Sequence, residues 1–315
     1  MPAMSRHAAF RRAIPIDARV STWHAADGWP IRRFDWPAES ARGAILFQTG
    51  RGDVFEKYLE TFAHWHHAGW SVSAFDWRGQ GGSGRLSPNR NVGHADDFAP
   101  WIADLAQFWR DWAAENHGPR VVVGHSMGGF LVLRALVDRV IDADAAVLVA
   151  PMLGLRSPVG ARAGGWLAGL MRRAGDPARA AWKGHEKPGV QVDRQSILTA
   201  DAERYSDEGW WYQQSPELKL GPPSWAWLAE AFAATDRLRR DPALLRMTVP
   251  TLMLLADRDA LVDSTAAAAV GARLLDATVI RFGADAAHEL LREADPVRDR
   301  ALSAIDSFLD ERLGR

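Results

Sequence analysis

The segment RVVVGHSMGGFLVLRAL, residues 120–136, constrains the fold more than any other part of the chain. An apolar β-type run leads into Gly124-His125-Ser126-Met127-Gly128, a G-x-S-x-G, and a helical pattern follows at once. A strand that turns straight into a helix at a serine is the context a nucleophile elbow requires. Glycines flank such a turn because larger residues would clash there, and the turn lifts the hydroxyl above the sheet. The alternative, two glycines that only allow close packing around an inert serine, accounts less well for the flanking strand and helix.

The same alternation recurs along the chain. Short apolar runs at 44–47, 71–75, 120–124, 145–150, 251–256 and 277–282 are separated by helical patterns near 55–68, 94–115, 127–140 and 264–275, with a last one near 296–313. This predicts an α/β protein whose mainly parallel central sheet is flanked by helices. Ahead of the series, ARVSTWHAADGWPIRRFDW predicts a hairpin turning at Asp27-Gly28. The alternation breaks between Met152 and Thr235, where six of the fifteen tryptophans fall. Long structureless loops are uncommon in compact domains, so residues 152–235 are expected to form an inserted helical cap, with 1–151 and 236–315 making the core.

A serine hydroxyl is a weak nucleophile alone and needs a base and an orienting acid, which follow an elbow of this kind in the order Ser, Asp or Glu, His. Only His185 and His288 follow Ser126. His185 lies in the cap stretch WKGHEKPG, whereas His288 follows the last strand run in GADAAHELLRE, a loop from which an imidazole reaches the elbow. His288 is the expected base. After the run TLMLLA come Asp257, Asp259 and Asp263. Asp263 fits a helix N-cap, Asp259 is the expected acid, and Asp257 is the alternative. The oxyanion of acyl transfer needs N–H donors, expected from Met127 and from Arg51 in the loop Thr49-Gly50-Arg51-Gly52. Whether the Arg51 side chain faces the pocket or solvent stays open at this stage.

Several other chemistries are disfavoured. There are no cysteines, which removes disulfides, thiolate metal sites and a cysteine nucleophile together. With 38 Lys+Arg against 39 Asp+Glu, no whole-protein field would recruit nucleic acid. His64 and His67 of HWHH share a predicted helix face but have no carboxylate or cysteine nearby in sequence, so a solvated face is expected rather than a metal. The D-x-D at 257–259 lacks the glycine and glutamate of a calcium loop. Gly79, Gly81 and Gly84 make a G-x-G-x-x-G, but Arg85-Leu86-Ser87-Pro88 continues as a loop rather than the helix that binds a pyrophosphate. No cofactor and no metal are expected. The basic N-terminus lacks the apolar core of a signal peptide, and no stretch approaches the roughly 18 apolar residues of a membrane span. A cytoplasmic protein able to touch the inner membrane face is expected.

Motifs beyond the elbow extend over nearly the whole chain: TGRGDVFEKYLE, FDWRGQGGSGRL, NVGHADDFAPWIADLAQFW, GHSMGG, SILTADAERY, LGPPSWAWLAEAF, DRDALVD and AHELLRE. On these the chain resembles the α/β-hydrolase fold family, and within it the bacterial lysophospholipase L2 and monoacylglycerol lipase group. The resemblance implies a serine hydrolase working through Ser126, His288 and Asp259 without a cofactor. Its implied substrate is a fatty-acyl ester of a single-chain lipid, a lysophospholipid or a monoacylglycerol. The glycines of FDWRGQGGSGRL are then a tight loop at the active-site end of the sheet. Many relatives carry His-Gly where this chain has Thr49-Gly50, a change to which a backbone donor is indifferent.

The tryptophan-rich cap agrees with a lipid substrate. WLAGLMRR, residues 166–173, sets Trp166, Leu167, Leu170 and Met171 beside Arg172 and Arg173, the pattern of a lid touching an anionic interface or of a helix packed on the core. Other readings of the same scaffold are an S33-like serine aminopeptidase, a short-chain carboxylesterase and a non-catalytic binder of a small apolar ligand. The aminopeptidase needs an acidic patch for a free amine, for which Asp201, Glu203, Asp207 and Glu208 are the candidates.

Overall fold

The computed structural model describes residues 8–182 and 194–314. Among these, eight strands form one sheet: β1 Arg19–His24, β2 Pro30–Trp36, β3 Gly43–Gln48, β4 Trp70–Phe75, β5 Arg120–His125, β6 Ala145–Val149, β7 Thr251–Ala256 and β8 Ala277–Phe282. Their order is β1-β2-β4-β3-β5-β6-β7-β8. β1 and β2 are the expected hairpin, and its turn is closed by Gly28, at φ +81°, donating to the Ala25 carbonyl at 2.8 Å. From β4 to β8 every neighbouring pair is parallel. β3, β6 and β7 are buried at every position, as strands covered on both faces must be.

Helices α1 (Leu59–His67) and α9 (Asp295–Leu313) cover one face, closing a core that includes Phe34, Phe47, Phe62, Trp65 and Phe308. On the other face α2 (Ala99–Glu115), α3 (Met127–Val137) and α8 (Ser264–Gly271) close a second core around Trp77, Trp101, Trp109 and Trp112. Each such side chain contributes roughly 1.5–3 kcal/mol by leaving water. The helical pattern expected from residue 94 begins only at Ala99. Before it, Gly93 donates to the Pro222 carbonyl and accepts from the Ser224 N–H, both at 2.9 Å, so the backbone there is bonded to a distant segment instead of to itself.

Between β6 and β7 lie α4 (Ala161–Arg173), α5 (Arg194–Leu198), α6 (Ala202–Gln214) and α7 (Trp225–Arg240). The Ser224 side chain caps α7 by accepting from the Trp227 N–H at 3.1 Å, and the helix then runs unbroken through residue 235. Trp227, Ala231, Ala234 and Leu238 enter the second core, so the last helix of this stretch is also a core helix. α4 rests on α7 through Gly164 and Gly165, where an added Cβ would stand 3.1 and 3.2 Å from Phe232.

Register decides where the site forms. Gln48 lies beside Gly124, His125 beside Val149, Val149 beside Leu254, and Ala256 beside Phe282. The loops after β3, β5, β7 and β8 therefore leave the sheet at one edge, the carboxyl edge at which open α/β sheets place their ligands.

Candidate active site

Ser126 ends β5 and caps α3 with φ 53° and ψ −117°, a backbone that a non-glycine residue rarely adopts. The flanking glycines make that turn possible. A Cβ on Gly124 would meet the Gly129 Cα at 2.7 Å, and one on Gly128 would meet the carbonyl oxygens of Gln48 and Thr49 at 2.5 Å. The strained turn aims the hydroxyl out of the sheet edge, where its Oγ lies 2.9 Å from His288 Nε2. Met127 opens α3, and its N–H, like those of any first helical turn, has no acceptor within the helix.

His288 sits in the loop after β8, buried, with Nδ1 2.6 Å from Asp259 Oδ2. Asp259 is held in turn by its other oxygen, which accepts the N–H groups of Leu261 and Val262 at 2.8 and 2.9 Å. Burial alone would lower the His288 pKa, but the charge and hydrogen bond of Asp259 outweigh it and hold the imidazole above its ordinary value near 6.5. Burial likewise pushes the Asp259 carboxyl up, and His288 with the two backbone N–H groups pulls it below the usual carboxylate range. The other two aspartates have separate tasks. Asp257 pairs with Arg281 at 2.6 Å, and Asp263 caps α8 by accepting from the N–H groups of Thr265 and Ala266.

The loop after β3 approaches the serine closely. A Cβ on Gly50 would stand 3.2 Å from Ser126 Cβ, and the Gly50 N–H donates to Asp53 Oδ2 at 3.3 Å. The Gly52 N–H donates to Gln80 Oε1 at 2.6 Å. The Arg51 N–H between them has no acceptor among the described residues. Arg51 is among the residues that line the cavity above Ser126, and its guanidinium bonds the Gly221 carbonyl at 3.0 Å instead of extending freely into solvent. The neighbouring glycine-rich loop holds Gly79, Gly81 and Gly84 at φ +78°, +48° and +77° and leads into no helix before Ala99. A Cβ on Gly81 would lie 2.3 Å from Asp76 Oδ2, so these glycines shape a turn.

Ser126 and His288 lie in the wall of a cavity of about 480 Å³, within the range of small-molecule sites. Much of the lining is apolar: Met152, Leu167, Ile197, Trp225, Trp227 and Phe232 are part of it. The family described as serine aminopeptidase, S33 matches residues 39–295 of this chain. The chain belongs to that family. Among similar proteins, lysophospholipase L2 of Escherichia coli strain K12 is 29% identical over 303 residues, covering 90% of this chain and 85% of the relative. A probable lysophospholipase L2 of Haemophilus influenzae is 26% identical over 279 residues, covering 87% and 86%. A soluble variant of monoglyceride lipase from Saccharomyces cerevisiae, solved with a substrate analog, superposes with a TM-score of 0.75 at 18% identity over 96% of this chain and 97% of that one. The fold is thus the α/β-hydrolase fold, and the chain is a hydrolase.

The S33 family name invites the aminopeptidase reading, and the acidic residues that would serve it are already engaged. Asp207 pairs with Arg11 and Arg12, both at 2.7 Å, and Glu203 with Arg11 at 3.3 Å. Asp201 caps α6 and pairs with Arg204 at 2.8 Å, while Glu208 pairs with Arg194 at 2.8 Å and Lys57 at 2.9 Å. The histidines of HWHH are also taken up in packing. His64 pairs with Asp306 at 2.7 Å, His66 stacks on Trp36, and His67 Nδ1 lies 2.6 Å from the Ala63 carbonyl. His185 lies outside the described residues.

A buried charge cluster beside Ser126, His288 and Asp259 has no counterpart among the sequence expectations. Lys57 Nζ contacts Asp53 and lies 2.9 Å from Glu208 and 2.8 Å from Glu289, which also pairs with Arg292. The three carboxylates come within 4.8 Å of one another, close enough to hold a metal ion, and the Lys57 ammonium stands where that cation would. Burial would pull the Lys57 pKa down, but Asp53, Glu208 and Glu289 outweigh it and raise it. Asp53 extends the cluster to the elbow, since its Oδ2 accepts from the Tyr58 hydroxyl at 2.8 Å and lies 3.3 Å from His125 Nδ1. His125 Nε2 in turn lies 3.4 Å from the His288 carbonyl oxygen. The one sequence signal was the spacing of Asp53 and Lys57, four residues apart.

Proposed function

We propose that the protein is a serine ester hydrolase that cleaves the fatty-acyl ester of a single-chain lipid, a lysophospholipid or a monoacylglycerol. The observation that carries this reading is the unbroken relay from Asp259 through His288 to Ser126 at the wall of an apolar cavity. Ser126 Oγ attacks the ester carbonyl carbon while His288 Nε2 takes its proton. The Met127 and Arg51 N–H groups hold the oxyanion, and Asp259 steadies the imidazolium. His288 then gives the proton to the departing alcohol oxygen, leaving an acyl-serine. A water that loses its proton to His288 attacks this ester and releases the fatty acid.

Residues 152–235, continued to Arg240 by α7, act in this reading as a cap over the acyl chain. Trp182, Trp225, Trp227 and Leu167 from that stretch line the cavity. The lysophospholipase names of the similar proteins favour a lipid, and the occupied acidic residues disfavour a free amine. The test is labelling by a fluorophosphonate with Ser126→Ala as control. Labelling is expected to vanish in the variant and ester turnover to fall by roughly 10^4-fold, the scale of losing a triad member. Turnover equal to wild type would remove Ser126 from the mechanism.

A further inference from the structure

The cavity wall carries a cation that nothing in the mechanism above uses. Arg51 supplies a backbone N–H to the proposed oxyanion hole and is one of the cavity's lining residues, and its guanidinium lies against Trp227, which lines the same cavity. That guanidinium is fixed by a bond from Nη1 to the Gly221 carbonyl at 3.0 Å and by the Trp227 ring 5.4 Å away. Gly93 leaves it room, since a Cβ there would stand 2.6 Å from Arg51 Nη1. No carboxylate pairs with Arg51 among the described residues, although a fork of five N–H donors offers several bonds.

The charges around it leave a surplus of the same sign. Lys57, Arg194 and Arg292 are matched by Asp53, Glu208 and Glu289, and Arg51 remains outside that set of contacts. Arg194 lines the same cavity. Burial lowers the Arg51 pKa to about 10, and the nearby positive charge of Arg194 adds to the effect. A guanidinium held against the Trp227 ring and near that of Arg194, with no carboxylate in direct contact among the described residues, is what an anionic ligand group would satisfy.

We infer that Arg51, with Arg194 beside it, binds the phosphodiester of a lysophospholipid while its acyl ester lies at Ser126, and so selects that substrate over a neutral monoacylglycerol. This rests on the ester-hydrolase reading and deepens it. The phosphodiester stays attached to the leaving glycerol through the first step, so the cation holds the alcohol half of the substrate where His288 must protonate it. Trp227 serves both halves of the site, as an apolar wall for the chain and as the ring that keeps the guanidinium in place.

The experiment compares kcat/KM for two monomeric esters with one short acyl chain, an acylglycerol phosphodiester and the matching acylglycerol, in wild type, Arg51→Met, Arg51→Lys and Arg194→Met. The phosphodiester-to-neutral ratio is expected to fall about tenfold to a hundredfold in Arg51→Met, the loss of charge-assisted bonds, and to recover in part in Arg51→Lys. Damage to the oxyanion loop would lower both substrates together and leave the ratio alone. An unchanged ratio in Arg51→Met overturns the assignment; should that variant not fold, an unchanged ratio in Arg194→Met does so. Fluorophosphonate labelling of each protein separates the two readings. Labelled wild type with no change of ratio rejects only the anion site, whereas wild type that neither labels nor cleaves either ester rejects the hydrolase and the anion site together.

Discussion

At the scale of single residues, the proposed mechanism makes the His288 imidazole set the working pH, because a base must be neutral to accept the Ser126 proton. Its pKa is held above the ordinary 6.5 by Asp259, against the effect of burial. Activity is therefore expected to fall as pH drops through a value above 6.5, seen as the acid limb of kcat/KM for a soluble ester. Replacing Asp259 by Asn removes the charge that raises this pKa and leaves burial, which lowers it, so the limb should move to lower pH. The rate should fall as well, by roughly 10^4-fold if Asp259 orients the imidazole as in a serine-protease triad. A limb that stays in place would mean that another group titrates there. Ser126 and His288 were legible in the sequence because a motif marks the serine and only two histidines follow it. Asp259 had to be chosen among three aspartates, and only the folded loop, with two N–H groups on one oxygen and His288 on the other, separates it from Asp257 and Asp263. The guanidinium of Arg51 had no such marker, since its ring partner Trp227 and its acceptor Gly221 are about 170 residues away.

At the scale of elements, the junction of β5 and α3 is the part with least freedom. Gly128 faces backbone oxygens of the loop after β3, which cannot swing aside as a side chain would. Overpacking a core costs about 1–3 kcal/mol, and Gly128→Ala is expected at the top of that range. Urea unfolding of the variant should show the loss and fluorophosphonate labelling should slow, because relief of the clash must shift either the serine or the Thr49 loop; a wild-type midpoint and labelling rate would show that the elbow tolerates a methyl group. The strands could be placed from sequence because each is a short apolar run between turn signals, as AILF, RVVVG and TLMLLA are. Helix starts were harder to read. Periodicity suggested α2 from residue 94, but bonds to Pro222 and Ser224, far away in sequence, hold that backbone extended. α7 crosses the expected cap boundary at Thr235, and its last turns, through Leu238, are core.

At the scale of the whole molecule, two features of the stretch after β6 matter, and only the second was visible as a local pattern. The first is Lys57, which binds Glu208 on α6 together with Asp53 and Glu289 from the body of the sheet. Lys57→Met would strand three buried carboxylates and is expected to cost about 3–5 kcal/mol, read as a lowered midpoint in chemical unfolding. A midpoint equal to wild type would mean that the carboxylates take up protons or another cation at little cost. The second is the outward face of α4. Only Gly164 and Ala168 of this helix are buried, while Trp166 is 71% exposed and Leu167 and Leu170 are 41% and 47% exposed, so α4 packs by a narrow face and turns large apolar side chains outward. Among the described residues no helix is long and apolar enough to cross a membrane. Arg162, Arg172 and Arg173 on the same helix supply charge of the sign that anionic headgroups attract, about 1 kcal/mol each near such a surface. Leu167 belongs both to this exposed face and to the cavity lining, so a lipid lying under α4 would touch the wall of the cavity that holds Ser126. Replacing Trp166 and Leu170 together by Ser is expected to weaken binding to vesicles containing anionic phospholipid by tenfold or more, since each full burial of such a side chain is worth roughly 1.5–3 kcal/mol. Hydrolysis of a water-soluble short-chain ester should persist, because neither residue lines the cavity. Co-sedimentation at two salt concentrations measures the apolar and charged contributions separately, and equal partitioning of variant and wild type would exclude α4 as the surface through which lipid reaches the serine.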